Sequence, residues 1–380
     1  MSFPGDHLDC ETLKVLIAAG GTGGHVFPAL VVAQELMKRA PTSKMLFVGT
    51  RKGIEASLVP KAGFDITFIS IFGLKRRLAL SNVLLPFVGV RGLVQSFRLI
   101  RRFSPDIVFG TGGYVAGPVL LAAVLGRLPT MLHEQNSRPG VTTKWLARWV
   151  SMMLLSYPQS RVFYRRKDNL RVTGNPTRIG FRSNDRKQSR LLFGLREDLD
   201  TVLVFGGSLG ARSINMALLA ALEGLMADGS LQLLWQTGLA DFEDVKRKAS
   251  KYGLRVKVLP FIDSMVDAYR SADVVLCRAG ASTLAEITRL GVPAILVPYP
   301  YATGNHQELN ARILLDEGAA TMILDRALTG ERVVHAIQHL LQDRGKRRRM
   351  IERCKALGYP QAAAHIVGAM FELAGGQEKP

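Results

Sequence analysis

The sequence predicts an α/β protein with two doubly wound parallel sheets, each in a Rossmann-like domain. Three glycine-rich turns carry the prediction: residues 20–25, 110–114 and 206–210 each follow a short apolar run, where a buried strand would pass into a helix. Glycine lets the backbone approach a ligand closely, and the following helix presents unpaired N–H groups to it. Turns of this kind bind anions, most often the phosphates of a nucleotide.

The two halves of the chain repeat one pattern. Apolar runs at 15–19 and 202–205 end in Gly-Gly and lead into helices rich in alanine and leucine at 29–36 and 215–222. Further strands are predicted at 45–48, 66–71, 107–109 and 130–133, and again at 231–236, 256–259, 274–276 and 294–297. Strands that alternate with helices indicate parallel sheets, and the stretch 161–190 is the predicted linker. Two such domains would bring the carboxyl ends of both sheets to one cleft.

Composition narrows the range of functions. The 380-residue chain is long enough for two domains, and its formal net charge of +19 predicts an anionic partner. The scattered Cys10, Cys277 and Cys354 indicate a reducing compartment, without a disulfide framework or metal-ligand spacing. The apolar run at 115–125 is too short to cross a bilayer, and the start of the chain has no secretory signal. We therefore expect a cytoplasmic protein whose membrane contact is at most peripheral.

Two other classes of protein are disfavoured. A nicotinamide or flavin dehydrogenase is disfavoured because its dinucleotide-binding turn would have a third glycine at the position of Val26, after Gly21-x-Gly23. Its next strand would also end in an acidic residue, whereas this one ends in Gly49. Nucleic-acid binding is disfavoured because the basic residues are dispersed, with no recognition-helix or aromatic-stacking pattern.

Seven segments resemble one family, the MurG glycosyltransferases of bacterial cell-wall synthesis, and they occur in the family's order. They are GGTGGHVFPA at 20–29, GGYVAGP at 112–118, HEQN at 133–136, GNPTR at 174–178, GGSLGAR at 206–212, RAGASTLAE at 278–286 and NHQ at 305–307. Each segment alone is weak evidence, whereas the ordered set is very specific.

The resemblance implies the GT-B architecture and an inverting transfer of N-acetylglucosamine. The donor would be UDP-GlcNAc, and the acceptor the C4 hydroxyl of undecaprenyl-pyrophosphoryl-MurNAc-pentapeptide (lipid I), which gives lipid II. It implies a membrane-facing acceptor domain at 1–176, a donor domain at 177–355 and a helical segment at 356–380 that returns to the first domain. The alternative is a UDP-sugar diacylglycerol glycosyltransferase of the same fold.

A donor site is expected mainly in the second domain. Residues 280–283 open a helix whose free N–H groups can hold a diphosphate, and by resemblance Glu286, one turn further on, binds the ribose. Arg178 and Ser208 would stabilise the charge of the departing UDP. We expect no cofactor and no obligatory metal, because these groups can take the place of a divalent ion. The predicted donor-binding residues are Thr22, Gly23, Gly24, Asn136, Arg178, Ser208, Ile262, Ala281, Ser282, Thr283, Glu286 and Gln307.

His25 is the predicted general base. It closes the first glycine turn at a helix N-terminus, whose partial positive charge favours the neutral ring. Glu134, in the HEQN segment, remains the competing base. The predicted acceptor-binding residues are Gly112, Gly113, Tyr114 and Lys144.

Between residues 71 and 103 basic residues are interleaved with leucine, phenylalanine and valine, and a membrane-contact patch is predicted within residues 72–88. A core helix at 90–100 should follow, with Pro86 and Gly89 interrupting the pattern before it. The partners implied are UDP-GlcNAc, lipid I, an anionic membrane surface and proteins of cell-wall synthesis and division, with no nucleic acid. The location implied is the cytoplasmic face of the inner membrane.

Overall fold

A computed structural model describes residues 12–72, 85–177, 185–227 and 229–375. The chain divides into two compact units. Unit 1 comprises Met1–Thr177 with Pro360–Pro380, and unit 2 comprises Arg178–Tyr359.

Unit 1 contains a parallel sheet whose described strands run in the order β3-β2-β1-β4-β5-β6-β7. These strands are β1 (Lys14–Ala18), β2 (Lys44–Gly49), β3 (Asp65–Phe68), β4 (Ile107–Gly110), β5 (Thr130–Glu134), β6 (Met152–Leu155) and β7 (Leu170–Val172). The helices of the unit are α1 (Gly23–Arg39), α2 (Glu55–Lys61), α3 (Leu85–Phe103), α4 (Gly113–Leu125), α5 (Val141–Leu146) and, from the end of the chain, α14 (Ala362–Gly375).

The central strands of unit 1 are apolar on both faces because helices cover both faces. Successive residues of β1 alternate between two cores: Val15 and Ile17 pack with α1 and α14, while Leu16 and Ala18 pack with α4. Ile366 and Met370 bring α14 into the first of these cores, where both side chains are fully buried.

The helix α3 starts earlier than the sequence predicts. Pro86 and Gly89, expected to interrupt the pattern, both lie inside it. Pro86 is the second residue of the helix, where its missing N–H would have no intrahelical acceptor in any case. Val90 was expected in the core but is 63% exposed. Most of the predicted membrane patch, residues 73–84, lies outside the described residues.

Unit 2 contains a second parallel sheet, in the order β10-β9-β8-β11-β12-β13. Its strands are β8 (Asp200–Phe205), β9 (Leu231–Gln236), β10 (Val256–Leu259), β11 (Val274–Cys277), β12 (Ala294–Leu296) and β13 (Thr321–Met322). Its helices are α6 (Arg186–Leu192), α7 (Arg212–Met226), α8 (Phe242–Ala249), α9 (Met265–Ser271), α10 (Ala281–Leu290), α11 (His306–Asp316), α12 (Gly330–Gln342) and α13 (Arg344–Leu357).

The two-sheet prediction is confirmed, and each predicted strand overlaps an observed one. Three short strands were missed: β6, β7 and β13. Leu170–Val172 had been assigned to the linker, but it pairs with β6 as the edge of the first sheet. Of the described helices, none is long and apolar enough to cross a membrane.

Candidate active site

Two glycine turns of unit 1 meet at His25. The first turn joins β1 to α1 and the second joins β4 to α4; because these strands are parallel neighbours, both turns open at the same edge of the sheet. Gly112 and Gly113 have positive φ angles of 89° and 76°. A Cβ atom at Gly112 would lie 3.2 Å from the His25 ring, and one at Gly113 would lie 3.1 Å from it. Glycine at both positions therefore lets the second turn pack against the ring.

The hydrogen bonds of His25 define its tautomer. Its Nδ1 lies 2.7 Å from the carbonyl oxygen of Thr111 and 3.1 Å from Oε1 of Gln135. Both partners are acceptors, so Nδ1 carries the proton and Nε2 keeps its lone pair. A free imidazole nitrogen at the mouth of two glycine turns is the group that a general base requires.

A second histidine lies behind the first. His133 is completely buried, and its Nε2 donates to the carbonyl oxygen of Gly174 at 2.9 Å. Burial lowers the pKa of His133 to about 4; the hydrogen bond to Gly174 opposes this shift and the charge of His25 adds to it. His133 is therefore neutral at physiological pH, with its Nδ1 free to accept a hydrogen bond from Gln135 Nε2 at 3.0 Å.

Glu55 supports the first turn from inside and was not predicted. Its side chain is completely buried, and Oε2 accepts the N–H of Gly21 at 3.1 Å. Oε1 accepts the N–H and the hydroxyl of Thr50, at 2.9 and 2.8 Å. The carboxyl group thus ties the first turn to the end of β2.

The carboxyl group of Glu134 organises its own loop. Oε1 accepts the backbone N–H and the side-chain amide of Asn136, at 3.0 and 3.1 Å, and Oε2 accepts the N–H of Gly140 at 3.1 Å. Only 3% of Glu134 is exposed. These contacts fit a loop-building role better than a base, which would need a free oxygen facing the acceptor.

The remaining predicted residues of unit 1 lie in the first glycine turn, over it, or on α5. Thr22 and Gly24 are exposed beside it, with Gly23 half-buried between them, and the Tyr114 ring lies directly over Gly21. Lys144 is exposed on α5, next to Thr143, whose side chain approaches the second turn.

Unit 2 has its own glycine turn, between β8 and α7. Ser208 is exposed in it, and a buried glutamine supports it from the neighbouring strand. Gln236, the last residue of β9, donates its side-chain amide to the carbonyl oxygen of Gly207 at 2.8 Å and accepts the N–H of Ile262 at 2.8 Å. One side chain therefore joins this glycine turn to Ile262, another of the predicted donor-binding residues.

The N-terminus of α10 lies at the same edge of the second sheet, because β11 pairs with β8 in parallel. Ala281, Ser282 and Thr283 form its first turn. The Ser282 hydroxyl oxygen is buried and has no hydrogen-bond partner among the described residues. A hydroxyl and unpaired backbone N–H groups at a helix start are suited to an anion. One turn later, Glu286 is buried and accepts a hydrogen bond from the Tyr269 hydroxyl at 3.0 Å.

Other charged and polar side chains near this helix have structural partners. Gln307 accepts the backbone N–H of Tyr299 at 2.9 Å and so fixes the loop after β12. Arg278 is bound by Asp325 and donates to the carbonyl oxygens of Val297 and Pro298 at 3.1 Å. Arg178 lies outside the described residues.

An Asp-x-Asp sequence occurs in unit 2, at Asp198 and Asp200, but at the amino end of β8, away from the glycine turn. Asp198 is exposed and pairs with Arg196 at 2.6 Å. Because Asp198 and Asp200 lie at the amino end of the strand, they do not belong to a donor site at the carboxyl edge of the sheet.

Two parallel-sheet units in one chain, each with a glycine turn at its carboxyl edge, are typical of GT-B nucleotide-sugar glycosyltransferases. The model of the glycosyltransferase family 28 N-terminal domain matches residues 15–155, and that of the family 28 C-terminal domain matches residues 201–366. The chain belongs to glycosyltransferase family 28.

Its relatives carry a common name. A Chlorobaculum parvum protein that is 46% identical over 95% of this chain and 99% of its own length is a UDP-N-acetylglucosamine--N-acetylmuramyl-(pentapeptide) pyrophosphoryl-undecaprenol N-acetylglucosamine transferase. A Desulforamulus reducens protein of the same name is 40% identical over 95% of this chain and 99% of its own length. The crystal structure of Acinetobacter baumannii MurG superposes with a TM-score of 0.75, at 31% identity, over 95% of this chain and 99% of that one. The family prediction is confirmed.

Proposed function

We propose that this chain transfers N-acetylglucosamine from UDP-GlcNAc to the C4 hydroxyl of lipid I, forming lipid II. The names of the 40–46% identical relatives support the reaction. The free Nε2 of His25, held between two glycine turns, is the observation that supports the chemistry. Unit 1 would bind the acceptor and unit 2 the nucleotide.

The mechanism is a single displacement with inversion. The hydroxyl oxygen attacks C1 of the sugar as its proton passes to Nε2 of His25, and the bond from C1 to the UDP oxygen breaks. Departing UDP takes the electron pair, and its charge is met by the N–H groups at the start of α10, by Ser282 and Ser208, and by Arg178. An α-linked donor gives a β-linked product.

We propose the following roles for the other predicted residues, as the family resemblance implies them. Glu286 would accept the ribose hydroxyls, Gln307 would contact the sugar, and the Ile262 segment would hold the uracil. Thr22, Gly23, Gly24 and Asn136 would line the donor from unit 1, and Gly112, Gly113, Tyr114 and Lys144 would contact the acceptor.

The test is transfer of labelled sugar from UDP-GlcNAc to a soluble lipid I analogue and, in parallel, to diacylglycerol, both with a metal chelator present. Transfer to the first acceptor alone is expected. Transfer to diacylglycerol alone would make the chain a glycolipid synthase of the same fold. As a donor control, Glu286→Ala should raise KM for UDP-GlcNAc about tenfold or more, since a buried ribose contact is lost.

We also propose that unit 1 rests on an anionic membrane at the cytoplasmic face of the inner membrane, where it would meet lipid I and proteins of cell-wall synthesis and division. On α3, Phe87 and Val90 are 75% and 63% exposed and lie on one side of the helix with Val94, while Arg91 and Arg98 are exposed. Apolar side chains flanked by arginine suit an interface. Phe87→Asp should weaken sedimentation with vesicles containing anionic lipid, whereas exposed Leu254→Asp in unit 2 should not; equal binding by both would contradict the placement.

A further inference from the structure

Gln135 has no part in the predicted site, yet it lies between the two histidines. Only 1% of it is exposed. Its side-chain amide reaches the Thr111 carbonyl oxygen, His133 Nδ1 and His25 Nδ1, at 2.8, 3.0 and 3.1 Å. It is therefore the side chain that joins the candidate base to the buried interior of unit 1.

The orientation of the Gln135 amide is set by chemistry. Its Nε2 lies between two acceptors, the Thr111 carbonyl oxygen and His133 Nδ1. A flipped amide would place an oxygen against both of them. His133 Nδ1 is an acceptor because Nε2 of that ring donates to Gly174 and because burial keeps the ring neutral. The amide oxygen of Gln135 must then face His25.

We propose that Gln135 is a positioning residue that fixes the tautomer of His25, so that Nε2, and not Nδ1, takes the proton of the attacking hydroxyl. Two oxygen atoms, from Gln135 and Thr111, hold the Nδ1 proton of His25. The same two bonds remain when the ring becomes an imidazolium, so the arrangement stabilises the product of proton transfer. The inference rests on His25 as the base.

A structural role alone would lower activity without moving its pH dependence. Two variants separate these cases. Gln135→Glu puts a carboxylate oxygen beside Nδ1, whereas Gln135→Leu removes one of the two oxygens and leaves Thr111. The titratable group coupled to His25 among the described residues is His133. Both variants keep its side chain but remove the Gln135 N–H that its Nδ1 accepts, so the His133 signals are followed in the NMR spectra as well.

The first measurement is ¹⁵N NMR of the histidine rings in the full-length protein, with His25→Asn used to assign the His25 signals. Wild type should show a protonated Nδ1 and an unprotonated Nε2 for neutral His25. Gln135→Leu should raise the fraction with the proton on Nε2. A wild-type ring protonated on Nε2, or a tautomer indifferent to Gln135→Leu, would overturn the proposal.

The second measurement is the pH profile of kcat/KM. The acid limb should move to higher pH in Gln135→Glu and to lower pH in Gln135→Leu, by about half a unit or more. At pH 7.5, kcat of Gln135→Leu should fall about tenfold, with KM for UDP-GlcNAc within about twofold. Gln34→Ala, an exposed change on the same helix as His25, serves as the matched control. If the acid limb of the pH profile stays in place, or moves in the same direction in both variants, Gln135 has only a structural role.

The two proposals can fail separately. The NMR experiment needs neither acceptor nor turnover, so correct ring behaviour without sugar transfer would leave the tautomer inference standing and overturn the proposed reaction. Sugar transfer by a protein whose His25 tautomer does not depend on Gln135 would leave the proposed reaction standing and overturn the tautomer inference.

Discussion

In both units a buried glutamine supports the glycine turn in the same way, but the groups around the two turns differ. In each unit a buried glutamine at the end of a neighbouring strand donates its amide to a carbonyl oxygen of the turn at 2.8 Å: Gln135 to Thr111 and Gln236 to Gly207. The amide oxygen of Gln135 then faces the ring of His25, while that of Gln236 accepts the backbone N–H of Ile262.

The side chains behind the turn therefore decide its chemistry. Unit 1 places an imidazole, a buried carboxyl group and a second histidine around its turns, a set suited to moving a proton. Unit 2 places a hydroxyl and backbone N–H groups there, a set suited to holding a charge without proton transfer. Four changes test this contrast, from the largest expected effect to the smallest.

Glu55→Ala should cost unit 1 about 4 kcal/mol of stability, because two buried donors on Thr50 and one part-buried donor on Gly21 lose their acceptor, at about 1–3 kcal/mol each. Hydrogen exchange should show faster exchange for β1 and β2 in unit 1, with β8 and β9 in unit 2 unchanged. Exposed Glu372→Ala, also in unit 1, is the matched control, and its surface ion pair with Arg171 should contribute less than about 1 kcal/mol. Equal exchange in both variants would mean that the first turn does not depend on the buried carboxyl group.

His25→Ala should lower kcat at least ~100-fold, since the group that takes the proton is gone, while UDP-GlcNAc affinity measured by calorimetry should stay within about twofold. Glu134→Gln should have the smaller effect on kcat, because one side-chain oxygen can still accept from the loop. A larger loss in Glu134→Gln than in His25→Ala would move the base to the carboxyl group and reverse the order of the two candidates.

The stability of unit 1 should fall in acid because of His133. Its pKa is about 4 in the folded protein against about 6.5 in an unfolded chain, so the unfolded state binds more protons between these values and stability falls as the pH drops through that window. Near pH 4.5 the loss should be about 2–3 kcal/mol relative to pH 7.5. Urea unfolding should show this loss in wild type and in exposed His365→Gln, and a smaller one in His133→Gln. An unchanged loss in His133→Gln would exclude His133 as its source.

Gln236→Leu should raise KM for UDP-GlcNAc about tenfold with kcat little changed, because the Ile262 N–H loses its partner and the segment after β10 loses its tie to the turn. Gln338→Leu, at a half-buried glutamine on α12, is the control. A fall in kcat without a change in KM would mean that the turn of unit 2 shares the chemistry of unit 1.

The sequence was sufficient for the architecture because glycine turns after apolar runs are local signals. Short edge strands such as β7 and β13 were missed because three or two residues show no periodicity. Glu55 could not be found, since a glutamate between Lys52 and Lys61 looks solvated until the fold buries it. The partners of Gln135 and Gln236 are likewise set by packing. The sequence feature that could have pointed to these two residues is the position of each glutamine at the carboxyl end of an apolar strand.

The placement of α14 has a consequence for synthesis on the ribosome. Unit 2 is one continuous stretch, whereas the first core of unit 1 needs Ile366 and Met370 from α14, which are translated after all of unit 2. Domains fold as units once their sequence has emerged. The part of the protein translated first is therefore the part completed last, and a nascent chain halted before α14 would expose the apolar face of α1 to chaperones and proteases.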